Sequence, residues 1–138
     1  LWEAALPELV GHVDQRERPL MRVSLPGQDR SFLALVDTGF NGWLLMEVMD
    51  AVSLGFMLSE LTVQVQFAGR GQSRLSVAHG HIMWFGERHH IEVLVSTAEE
   101  GCIASPDEPV AILGTRLLNP HLLKIDFARR RVSIESRG

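Results

Sequence analysis

Five consecutive apolar residues, Phe32-Leu33-Ala34-Leu35-Val36, run directly into Asp37-Thr38-Gly39. Apolar side chains at every position, not at every second one, predict a strand covered on both faces. Such a strand needs neighbours above, below and beside it. It also places one carboxylate, Asp37, at the mouth of a buried strand, where water is partly excluded.

The rest of the sequence supplies the neighbours. Pro26-Gly27 is a turn signal, so Leu20–Leu25 and Ser31–Val36 read as a hairpin. Trp43–Met46 predicts a short strand and Glu47–Leu54 one or two helical turns ended by Gly55. Leu61–Phe67 alternates apolar Val63, Val65 and Phe67 with polar Thr62, Gln64 and Gln66, the pattern of a half-buried strand. Leu75, Val77 and Ile82–Phe85 resume it beyond Gly69-Arg70-Gly71, so the two form a long hairpin with a glycine-bearing tip. His90–Val95 alternates again after Gly86-Glu87, and Thr97–Pro109 reads as a loop. Ala111–Gly114 is a buried strand ending in glycine. Thr115–Leu123 predicts a short helix limited by Pro120, and Leu122–Phe127 with Val132–Glu135 a last hairpin about an arginine-rich turn. Leu1, Ala5, Leu9 and Val13 fall near a helical spacing, so residues 1–18 read as a short amphipathic helix or an arm before a domain over 19–138. About eight short strands at regular spacing, with little helix, predict an all-β barrel or sandwich.

With 138 residues the chain is one domain of ordinary size, able to bury a core. Its net charge of -4 gives no electrostatic reason to expect a nucleic acid partner, and Arg129-Arg130-Arg131 reads as a solvated turn. No apolar run reaches the length that spans a bilayer. No secretory leader stands at the start, so a cytoplasmic location is expected, with an upstream signal or anchor left open because the chain begins at Leu1. A single cysteine, Cys102, cannot close an intramolecular disulfide. Its neighbours Gly101, Ile103 and Ala104 offer no base, so it reads as an inert thiol.

Asp37-Thr38-Gly39 has two readings. In one it is a turn with a structural aspartate and glycine. In the other it carries chemistry. A partly desolvated carboxylate brought against a second one cannot ionise together with it, so the pair shares a proton. One oxygen then takes a proton from water while the other carboxyl donates to a carbonyl, which is general acid–base attack on an amide. Thr38 supplies a hydroxyl that can reach across to a partner loop, and Gly39 lets the backbone turn closely.

From Pro19 to Glu135 the sequence resembles the retropepsin-like aspartic proteases, on three elements in the family's order. These are Leu35-Val36-Asp37-Thr38-Gly39 as the catalytic loop, Phe67-Ala68-Gly69-Arg70-Gly71 at the place of the flap, and Ile112-Leu113-Gly114 followed by Leu117-Leu118. Phe40-Asn41-Gly42 after the triplet is similar to a bacterial and archaeal branch. The resemblance implies a closed acid-protease barrel with a flap hairpin and one short helix near the C-terminus. It implies an aspartic endopeptidase without cofactor or metal, with Asp37 catalytic, Thr38 bonding between subunits, and Gly39 and Asn41 offering backbone groups to a peptide. Phe40 would line the substrate site, with Ala68, Gly69 and Arg70 closing over it, and Ile112–Gly114 would pack beneath the catalytic loop.

Two positions depart from the pattern. Phe40 stands where characterised members have alanine or serine, so it either lines a pocket or crowds the site. Thr115 stands where retroviral members have an arginine, with Arg116 one residue on. The chain carries one Asp-Thr-Gly triplet, so the second carboxylate would come from a second copy and a homodimer is expected. Val132–Glu135 would then either join a sheet shared between subunits or close the barrel within one. A rival reading is a catalytically weak or inactive module of the same fold, used for dimerisation or peptide binding. His79 and His81 lie on one face of a strand, with Glu87, His89 and His90 in the following hairpin, but no zinc-ligand spacing is matched, and no metal is expected. Trp2, Trp43 and Trp84 read as packing residues, with Trp43 near enough to the triplet to line a pocket.

Overall fold

A computed structural model describes residues 6–27, 29–67, 71–97 and 107–137. The strands are β1 (Glu8–Val13), β2 (Pro19–Ser24), β3 (Ser31–Val36), β4 (Leu44–Glu47), β5 (Met57–Phe67), β6 (Gly71–Trp84), β7 (Glu87–Ser96), β8 (Ala111–Leu113), β9 (Leu122–Asp126) and β10 (Arg131–Glu135). Two short helices, α1 (Val48–Ser53) and α2 (Thr115–Leu118), interrupt them. Strand order across the sheet is β5-β6-β7-β4-β8-β3-β2-β1-β10-β9, and a further pairing of Ser24 with Met83 joins β2 to β6. That pairing closes β6, β7, β4, β8, β3 and β2 into a six-stranded barrel. The expected all-β closed barrel, with its long hairpin and a short helix near the C-terminus, is therefore what the chain forms.

The unbroken apolar run behaves as its pattern predicts. β3 pairs antiparallel with β2 on one side and parallel with β8 on the other, with Leu35 opposite Ile112 and Val36 opposite Leu113. Phe32, Leu33, Ala34 and Val36 are buried. Leu20, Leu44, Ile82, Val93 and Leu113 from the other barrel strands are also fully or almost fully enclosed. Each such side chain contributes about 1.5–3 kcal/mol relative to exposure, so the barrel interior is the main source of stability. α1 closes one end, with Ala51 buried and Phe56 against Gly80, where a β-carbon would stand 2.3 Å from the Phe56 ring.

Residues 8–13 form a strand and not a helix. β1 pairs with β10, Gly11 opposite Val132, and at its end with β2, Val13 opposite Pro19. Gly11 is required there, since a β-carbon would lie 2.0 Å from the Leu20 carbonyl oxygen. β10 is flanked by β1 and β9 of its own chain. Val132–Glu135 thus pairs with strands of its own chain, beside the six-stranded barrel and not within it. Ion pairs Arg131–Glu8 at 2.8 Å and Lys124–Glu135 at 3.7 Å lie across the outer side of this sheet. α2 is shorter than the expected Thr115–Leu123 helix, and β9 begins at Leu122. Among the described residues no helix is long and apolar enough to cross a membrane.

Candidate active site

The loop that follows β3 is built from backbone bonds to the neighbouring strand and helix. The Asp37 amide donates to the Leu113 carbonyl at 3.0 Å, carrying the β3–β8 pairing one residue past the strand. The Phe40 amide returns to the Asp37 carbonyl at 3.2 Å and closes a tight turn. Inside that turn the Gly39 amide donates to Asp37 Oδ1 at 2.8 Å. The carboxylate is thus oriented by its own loop, as an aspartate does when it accepts from an amide two residues on. Asp37 is half-buried, while Thr38, Gly39 and Asn41 are exposed. Hydrogen-bonding groups at the barrel mouth therefore face outward around one fixed carboxylate.

The Ile112-Leu113-Gly114 segment lies beside and beneath this loop. The Gly114 amide donates to the Trp43 carbonyl at 3.0 Å, the Thr115 amide to the Phe40 carbonyl at 2.8 Å and the Arg116 amide to the Gly42 carbonyl at 3.1 Å. α2 is held in turn by Leu117 and Leu118, both buried. Thr115 Oγ1 donates to Asn41 Oδ1 at 3.3 Å, so a neutral hydrogen bond ties helix to loop at the position where the retroviral pattern has an arginine. Arg116 is exposed.

Phe40 is buried, with 8% exposure. Its ring lies outside the main core cluster and against two glycines. A β-carbon on Gly42 would stand 2.4 Å from Phe40 Cζ, and one on Gly114 would stand 2.6 Å from Phe40 Cδ2. Gly42 and Gly114 are the trace that this packing leaves in the sequence. Trp43 is half-buried and packs against the core.

The hairpin expected to close over the site is β5 and β6, whose register pairs Phe67 with Gly71. Its tip, Ala68, Gly69 and Arg70, lies outside the described residues, as does Cys102. Three of the six histidines meet on the outer face of β6 and β7. The ring centroids of His79 and His90 are 5.5 Å apart and those of His81 and His90 5.0 Å. Burial, then the charges of Arg88 and His90, hold His81 below the usual imidazole value. Among the described residues no group of three or more His, Cys, Asp or Glu side chains is disposed to hold a metal ion.

No protein-family model and no curated protein matches the chain. A solved structure does: the crystal structure of a retropepsin-like aspartic protease from Rickettsia conorii, with a TM-score of 0.63 over 97% of this chain and 94% of that one, at 16% identity. At that identity the likeness is one of fold. The closed barrel, the long hairpin and the loop seated on β8 and α2 are together the retropepsin-like fold.

Proposed function

We propose that the chain is an aspartic endopeptidase that acts as a homodimer, with a protease domain over residues 19–138 and residues 1–18 as an arm. The observation that supports this most is the setting of Asp37: a half-buried carboxylate at the end of a buried strand, oriented by the Gly39 amide 2.8 Å away, with one such loop per chain. Two copies related by a two-fold axis bring Asp37 beside its symmetry mate. Like charges that close share one proton. The ionised carboxylate removes a proton from a water held between the two, the protonated one donates to the carbonyl oxygen of the scissile amide, and a tetrahedral intermediate forms with no covalent bond to the enzyme. Thr38 bonds to the opposite loop and keeps the carboxylates in register. Gly39 and Asn41 offer backbone groups to an extended peptide, and Ala68, Gly69 and Arg70 cover it.

β10 is paired on both sides within its own chain, and the proposed dimer contact is made through the catalytic loops. The test is cleavage of a mixed peptide library between about pH 4 and pH 7 by the wild type and Asp37→Asn, with and without a statine inhibitor that mimics the tetrahedral state. Cleavage abolished by the substitution and blocked by the inhibitor is expected. A folded dimer that cleaves nothing, or an active Asp37→Asn, contradicts the proposal.

A further inference from the structure

We infer that Phe40 is a positioning residue, whose ring, wedged between Gly42 and Gly114, sets the height and tilt of the Asp37-Thr38-Gly39 turn. The inference rests on the reading of Asp37 as the catalytic carboxylate. From Asp37 to Asn41, Phe40 is the one residue with a buried side chain. Its backbone is clamped at both ends, the amide to the Asp37 carbonyl at 3.2 Å and the carbonyl to the Thr115 amide at 2.8 Å. With the backbone held at both ends and the ring against both glycines, a displacement of the ring is passed on to the turn, because close-packed interiors transmit displacement.

The glycines give the ring its seat. At Gly42 the three atoms nearest to an added β-carbon are all from the Phe40 ring: Cζ at 2.4 Å, Cε1 at 3.0 Å and Cε2 at 3.2 Å. None belongs to the backbone. A methyl at residue 42 and the outer edge of the ring at residue 40 therefore compete for one volume. A leucine at 40 lacks those three atoms, so the methyl of an alanine at 42 would occupy what the ring edge vacates. Ring and glycine form a size-matched pair, the ring three residues along the chain from Asp37.

The test is the size swap. The Gly39 amide, which donates to Asp37 Oδ1, is followed by NMR in the wild type, Phe40→Leu, Gly42→Ala and the double variant. The amides of Ile91 and Val93 in β7 serve as a distant reference. In each single variant the Gly39 amide proton should move toward its unstructured value while the β7 amides stay in place, and in the double variant it should return most of the way. With a cleavable peptide, kcat in the single variants should fall by about ten- to a hundredfold, the scale of a misplacement near 1 Å, with KM within about threefold. The double variant should recover most of the loss. If Gly42→Ala does not fold, Phe40→Leu and the double variant still carry the comparison. A Gly39 amide that stays put in folded single variants, or a double variant no nearer the wild type than either single, overturns the inference. A wild type that cleaves no peptide but shows the displacement and its recovery upholds the positioning by Phe40 and removes the protease reading instead.

Discussion

Gly114→Ala should be among the most damaging single-methyl additions in the chain. The backbone at this position is extended, with φ near -106°, so alanine meets no torsional penalty and the whole effect is steric. The new β-carbon would lie 2.4 Å from the Gly42 carbonyl oxygen, 2.5 Å from the Phe40 carbonyl oxygen and 2.6 Å from Phe40 Cδ2. Two of these are backbone atoms that accept the Arg116 and Thr115 amides at 3.1 and 2.8 Å. Relief requires the loop to lift from α2 and both bonds to lengthen or break. Two hydrogen bonds at about 1 kcal/mol each, with about 1–3 kcal/mol of overpacking, give a loss of about 3–5 kcal/mol. In urea this appears as a lower midpoint with unchanged slope, a shift of about 2 M for a domain of this size. Gly55→Ala is the control: φ is +90° and nothing lies within 4 Å of the added carbon, so the cost is backbone strain alone, about 1 kcal/mol. A Gly114→Ala variant within about 0.5 kcal/mol of the wild type would refute the contact between loop and β8 on which the site description depends.

Acid should weaken the fold through two separate groups. His81 is held below its ordinary value by burial, then Arg88 and His90. The unfolded chain therefore binds more protons just below about pH 6.5, and stability falls as pH drops through that value; His81→Gln should flatten this part of a melting-temperature profile. Asp14 is held below its ordinary value by the Arg18 side-chain hydrogen bond first, at 2.8 Å, and then by the Arg18 and Arg16 amides. Its stabilisation is complete above the unfolded value near pH 4 and is lost as pH falls through the lower folded one, so Asp14→Asn should flatten the profile below pH 4 and leave the His81 region unchanged. In the core, Leu113→Ala, at a fully buried residue of β8, should cost about 2–5 kcal/mol in urea unfolding.

The parts of the fold that were legible are those whose pattern is local. The run at residues 32–36 states its burial on both faces directly, and β3 lies between β2 and β8 accordingly. The alternation over Leu61–Phe67 and His90–Val95 gave strands within β5 and β7, and Gly55 and Gly86, both at positive φ, ended elements where expected. The N-terminal segment misled because Leu1, Ala5, Leu9 and Val13 fit a helical spacing, while Leu9, Gly11 and Val13 equally fit alternation. What decides between them is β10, some 120 residues further along the chain, and no local window contains it. The close approach of Gly11 to the Leu20 carbonyl is equally non-local.

At the site, the pairing of the triplet with the Ile112-Leu113-Gly114 segment was implied by the family resemblance, but the manner of pairing was not. That Thr115 bonds to Asn41 where an arginine was the pattern, and that Phe40 is buried against Gly114, depend on neighbours that β8 and α2 bring to the loop. Phe40 was ambiguous from sequence because a large ring beside a carboxylate can face the substrate or the core; its contact with Gly114 depends on a neighbour that β8 brings in from over 70 residues away. His79, His81 and His90 were seen to share a hairpin, but their close approach depends on the register that sets His81 opposite His90.

The most direct test of the two-copy active site is a mixing experiment. Wild type and Asp37→Asn are combined at equal concentration, allowed to exchange subunits and assayed on a cleavable peptide. If each site needs one Asp37 from each copy, random pairing leaves about a quarter of the activity of the same total amount of wild-type chain. Activity of half, proportional to the wild-type fraction at every ratio, would mean that each chain works alone and would contradict the account.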